Sequence, residues 1–126
     1  MLFHTSDFYE EYKSSCFIEL QFCRMPKSSD IKEIVSVDNI ENRLDDSLYI
    51  TDENLFYREY SRIFDCGIYN NLNTGVVDIY GINYYPPSEM DTIINRITEN
   101  NPEDYSALIK WLEKARNFNG FYILGI

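Results

Sequence analysis

Two hydrophobic periods share this sequence, and together they restrict its fold more than any other feature. From Cys16 to Arg24 apolar and polar residues alternate, with Cys16, Ile18, Leu20 and Phe22 on one face and Glu19 and Gln21 on the other. A period of two predicts a half-buried strand. Further on, Met90, Ile93, Ile94 and Ile97, and then Tyr105, Leu108, Ile109, Leu112 and Ala115, recur at helical spacing. A chain that carries both periods, with no linker or internal repeat between them, predicts an α+β fold. It would be a single globular domain over residues 1–126, with several helices packed on a mostly antiparallel sheet.

Local signals refine this. Residues 5–14 read as a short helix capped by Thr5 or Ser6, with acids in the first turn. Residues 29–46 suit one or two short helices, and Leu48–Ile50 a short strand. Asp52 opens a helix that runs toward Phe64, although the β-branched and aromatic residues of its second half also permit a strand. Cys66–Asn70 and Gly75–Tyr85 read as two strands around a turn, Asn71-Leu72-Asn73-Thr74-Gly75, with Gly75 in the left-handed position. Pro86 and Pro87 end the second strand, and Ser88 with Asp91 resembles a capping box. Pro102 is expected at the first position of the last helix, which Asn119-Gly120 stops. The closing run Gly120–Ile126 is short enough to be a strand, either central in the sheet or an available edge.

The core has ample material, because 11 tyrosines and 8 phenylalanines stand among 126 residues. Each ring buries on the order of 150–250 Å², so a domain of this size needs neither a metal nor a disulfide for stability. Cys16, Cys23 and Cys66 are odd in number and lack chelating or redox spacing, which reads as reduced, mostly buried thiols. The N-terminus lacks a signal peptide's basic head and apolar run, and no apolar stretch reaches the ~20 residues that span a bilayer. A cytoplasmic protein without membrane contact is expected.

Catalytic chemistry finds little to work with. His4 is the sole imidazole, so any mechanism built on histidine would have to use it. Asp45-Asp46 and Asp52-Glu53 are neighbours in sequence, but adjacent residues on a helix diverge, and no calcium-loop pattern is present. No Gly-rich phosphate loop occurs either. The expectation is no enzyme, no cofactor, no metal and no catalytic residue. A net charge of −10, without clustered Lys or Arg, argues against direct nucleic-acid binding.

Recognition of a protein remains. Between Asp38 and Glu59 seven acids (Asp38, Glu41, Asp45, Asp46, Asp52, Glu53, Glu59) face two arginines, with Tyr49 and Tyr57 among them. Acids steer a basic partner during encounter, and tyrosines supply rigid contact area. The partner-binding candidates are therefore Asp45, Asp46, Asp52, Glu53, Tyr57 and Glu59. A second surface is expected on the strand Val76–Tyr84, where alternation sets Val77 and Ile79 on one face and Asp78, Tyr80 and Tyr84 on the other. Tyr80 would be core if helices covered both faces of the sheet.

The run Asp78-Ile-Tyr-Gly-Ile-Asn-Tyr-Tyr-Pro86, with Ile93-Ile94, Pro102-Glu-Asp-Tyr105, Leu108, Trp111-Leu112 and the ending Asn119–Ile126, resembles small bacterial immunity proteins of polymorphic toxin systems. The contact-dependent growth inhibition type is among them. The resemblance covers about the last 50 residues and is one of texture. It implies a noncatalytic cytosolic protein that neutralises a cognate protein toxin, and it implies no particular site residue. A basic nuclease toxin would suit an acidic inhibitor, since a surface that attracts phosphate also attracts carboxylates. The alternative is an acidic DNA mimic, or another module that binds a host protein.

Overall fold

The computed structural model describes residues 1–7 and 17–126. Most of the helix expected at residues 5–14, and Cys16, lie outside the described residues. The chain folds as α+β around one six-stranded antiparallel sheet. Its strands are β1 (Ile18–Phe22), β2 (Leu48–Ile50), β3 (Gly67–Tyr69), β4 (Thr74–Gly75), β5 (Ile82–Tyr85) and β6 (Phe121–Leu124). They lie in the order β2-β1-β6-β5-β3-β4. The closing apolar run is thus central: β6 pairs with β1 through Leu20↔Ile123 and with β5 through Tyr84↔Tyr122. Gly120 turns the chain into β6 at φ 77°, where a Cβ would run into the Tyr85 carbonyl oxygen, so only glycine fits.

Among the described residues, the helices between these strands are α1 (Ile31–Ile34), α2 (Glu53–Tyr60), α3 (Met90–Asn100) and α4 (Tyr105–Ala115), with 3-10 turns at Val37–Asn39 and Pro87–Glu89. The apolar stripes of α2, α3 and α4 bury Phe56, Tyr60, Ile93, Ile97, Leu108 and Leu112 against the face that carries Ile18, Leu20, Phe121 and Ile123. Aromatic stacking fills this layer. Phe22 lies 4.2 Å from Trp111, and Tyr85 lies 4.9 Å from Phe121, centroid to centroid.

The opposite face is covered as well. Residues between Cys23 and Ile40 fold over it, packing Ile34, Val35, Met25 and Ile40 on Tyr84, Tyr122 and Leu124. The alternation in β1 is therefore real, but its polar face is not solvated, and Glu19 is only 5 % exposed. Glu19 is kept there by four donors. It accepts from the Arg43 N–H (2.7 Å), the Leu44 N–H (3.2 Å), the Ser47 hydroxyl (2.6 Å) and the Gln21 amide (3.2 Å). A buried carboxylate is tolerated when donors converge on it in this way.

Four local expectations are corrected. Gly75 is not left-handed; Leu72 takes that role at φ 73°. The strand expected from Gly75 to Tyr85 breaks into β4 and β5, which pair with opposite edges of β3. The Ser88 and Asp91 capping box does not form, because a 3-10 turn led by Pro87 precedes α3 and its cap, Glu89, makes no side-chain bond. Pro102 precedes α4 rather than opening it. The cap there is Asp104, held left-handed at φ 58° while its carboxylate accepts the Leu2 and Phe3 N–H groups.

Candidate partner-binding surface

The acids between Asp38 and Glu59 are dispersed by β2. Asp45 and Asp46 precede the strand, where Asp46 pairs with Arg24 and its carbonyl accepts the Trp111 indole N–H at 2.8 Å. Asp52 and Glu53 follow it. Five residues, three of them strand, separate Asp46 from Asp52, a span of up to roughly 20 Å at strand rise. Asp52 is the N-cap of α2, its carboxylate accepting the Leu55 N–H at 3.0 Å, and Glu53 stands in the first turn. Glu59 accepts the Glu103 N–H at 3.0 Å and so ties α2 to the turn before α4. Tyr49, which stands among these acids in sequence, is core. Linear charge density thus overstates the acidity of any one patch.

Tyr84 is corrected too. It is 1 % exposed, packs under Ile34 and Val35, and donates its hydroxyl to the Asn119 carbonyl at 2.7 Å. Alternation failed here because residues 76–81 are not strand, so the parity counted from Tyr80 does not reach Tyr84. Burial also raises the Tyr84 phenol above its usual range.

Tyr57 and Tyr80, taken from the two separate sequence candidates, are brought together. Helix α2 presents Asn54, Tyr57 and Arg58 at spacings of three and four, on the face away from buried Phe56 and Tyr60. The loop 77–80 runs alongside, and Asn54, Tyr57, Arg58, Val77, Asp78, Ile79 and Tyr80 line a groove of about 610 Å³. Tyr57 is 44 % exposed and Tyr80 71 %. Asn54 and Arg58 went unread in the sequence, although their spacing from Tyr57 was there to be used once α2 was placed.

The loop that carries Tyr80 is fixed from beneath. Buried Asn83 accepts the Asp78 N–H (2.8 Å) and donates to the carbonyls of Asp78 (2.8 Å) and Ile123 (2.9 Å). Val77 donates its N–H to the Phe64 carbonyl at 2.8 Å. From the other side, the N–H groups of Gly125 and Ile126 donate to the carbonyls of Gly81 (2.8 Å) and Ile79 (3.0 Å). Asp78 closes the turn by accepting the Tyr80 N–H at 2.9 Å. The ring of Tyr80 is therefore presented to solvent by a backbone that has little freedom left.

Chemistry beyond binding finds no organised constellation here. Among the described residues no three His, Cys, Asp or Glu side chains group as metal ligands would, and no helix is long and apolar enough to cross a membrane. The His4 backbone bridges to Tyr49 through bonds of 2.9 and 2.8 Å. Burial, followed by the nearby N-terminal charge, lowers the pKa of its imidazole against an opposing pull from Asp104. No protein-family model matches the sequence, and no match was found among curated proteins or solved structures.

Proposed function

We propose that this chain is an immunity protein that binds a cognate toxin domain, a basic nuclease, in the cytoplasm and blocks its active or substrate-binding surface without catalysis. The observation that carries this reading is Tyr80, a large ring exposed on a hydrogen-bonded loop, beside Tyr57 and Asp78 in a chain of net charge −10. Tyrosine is enriched in binding hot spots because its ring buries much area at small entropic cost, and a rigid support lowers that cost further. The negative field attracts a partner that evolved to hold phosphate.

The test is co-expression with the product of the neighbouring upstream gene, followed by purification and calorimetric titration. A 1:1 complex in which the partner's nuclease activity is silenced is the expected result. Tyr80→Ala should weaken that complex about 30-fold, as loss of a ~2 kcal/mol hot spot does. An upstream product that neither binds this chain nor harms cells lacking it would remove the reading.

A further inference from the structure

The pocket between α2 and α3 runs against the charge of the whole molecule. Six of the 126 residues are arginines, and three of them, Arg58, Arg62 and Arg96, converge with Glu59, Ile63, Asn100 and Pro102 around a volume of about 240 Å³. Arg58 and Arg62 lie one helical turn apart, which puts them on one side of α2 and the turn that continues it. Arg96 reaches across from α3. Its guanidinium is held by the Ile63 carbonyl (3.1 Å) and by Asp65, and the Asp65 hydrogen bond raises its pKa further. Those two bonds use one terminal nitrogen, so the other terminal nitrogen and Nε keep their donors.

Two carboxylates offset this charge only in part. Asp65 neutralises Arg96. Glu59 stands 3.8 Å from the Arg58 Nε but already accepts the Glu103 N–H. Arg62 makes no hydrogen bond or ion pair among the described residues, and it is exposed. With Asp65 on Arg96 and Glu59 near Arg58, Arg62 is the one cation of the three left without a carboxylate among the described residues, and an anion bound in the pocket would supply that charge directly.

We infer that this pocket is a binding site for a small tetrahedral oxyanion of the phosphate class. Guanidinium forks match two oxygens of such an anion at once, and one fork preset by a backbone carbonyl and a carboxylate loses less freedom on binding. The size fits this choice, since 240 Å³ falls below the ~300–1,000 Å³ of pockets that enclose larger ligands. The inference does not rest on the immunity reading, since Arg62 and Arg96 take no part in the tyrosine groove, although Arg58 lines both.

Inorganic phosphate titrated into the full chain at constant ionic strength, followed by NMR of the arginine side chains, tests it. Saturable one-site shifts at Arg58, Arg62 and Arg96 are expected, with glycerol phosphate weaker and acetate inert. Arg62→Gln, an exposed change that leaves Arg96 in place, should weaken phosphate about tenfold, the share of one charge-assisted contact. Lys110→Gln on α4 should leave the affinity unchanged. Shifts that never saturate, an unchanged affinity in Arg62→Gln, or equal binding of acetate would overturn the site.

Discussion

At Leu72 the backbone adopts a conformation that its side chain opposes. The Leu72 N–H donates to the Tyr69 carbonyl (2.9 Å) and the Tyr69 N–H to the Asn73 carbonyl (2.8 Å), which closes a three-residue hairpin loop whose last residue is left-handed. Glycine or asparagine suits that position, whereas a branched side chain there costs about 1–2 kcal/mol. Leu72 is also 47 % exposed, so little burial offsets the cost. Leu72→Gly should raise stability by about 0.5–1 kcal/mol in urea unfolding, the relief of strain being partly offset by greater freedom of the unfolded chain. A lower midpoint would mean that the leucine packs more than its exposure allows. Cys66 shows the reverse case, a reactive group made inert. Burial, reinforced by Glu89, pushes its thiol up to about 12. Because the folded value lies above the unfolded one, near 9, this group's stabilising share is complete below pH 9 and is lost as the pH rises toward 12. Alkylation of native protein at pH 8, read by peptide mass, should leave Cys66 unmodified for as long as the fold holds. Rapid labelling there would contradict the raised thiol pKa of this half-buried residue.

Among elements, the loop between β4 and β5 depends on a residue outside it. Asn83 replaces the ladder bonds that residues 76–81 would have made as strand, satisfying Asp78 on both its N–H and its carbonyl. Asn83→Ala should cost about 1–3 kcal/mol, since it leaves the buried Ile123 carbonyl and the part-buried N–H and carbonyl of Asp78 without their partner. Amide exchange would show fast exchange at Asp78 and Tyr80 in that variant while Ile123 and the other core amides stay slow. Uniform acceleration instead would mean that the loop has no stability of its own. The same loop marks the limit of what the sequence discloses. The strand β1 and the helices α3 and α4 were legible because each carries a period over its length, β2 and β6 because they are short apolar runs, and α2 because Asp52 caps it. The break at residues 76–81 was not, because Val76–Tyr84 alternates as a strand does, and what diverts it is the Asn83 side chain together with backbone bonds to Phe64, Gly125 and Ile126. The burial of Glu19 and Gln21 was hidden for a related reason: what covers them is the segment after β1, whose N–H groups at Arg43 and Leu44 solvate a carboxylate that the pattern assigns to water. Three of the seven groove residues, Tyr57, Asp78 and Tyr80, were readable as partner-binding candidates. Their convergence in one groove depends on how α2 lies on the sheet, which no local pattern encodes.

Across the whole molecule, charge and contact separate. The acids that stand together in sequence lie before and after β2, so the excess of negative charge acts as a field over much of the surface, whereas the groove itself offers two tyrosines with one acid and one arginine. A field changes how often partners meet; desolvated anchors change how long they stay. Asp45→Asn with Asp46→Asn should therefore slow association with the proposed basic partner several-fold at low salt, with a dissociation rate close to that of the parent chain. The Asp46–Arg24 pair lost in this variant is exposed and contributes little to stability. Screening supports the distinction: at ~0.15 M salt the Debye length is about 8 Å, and most of the slowing should vanish. Tyr80→Ala should show the opposite pattern, a faster dissociation that salt does not restore. Stopped-flow association at two ionic strengths separates the two classes. If the Asp45 and Asp46 changes instead raised the dissociation rate, those acids would be contacts, and the interface would have to extend past the far end of β2 from the groove.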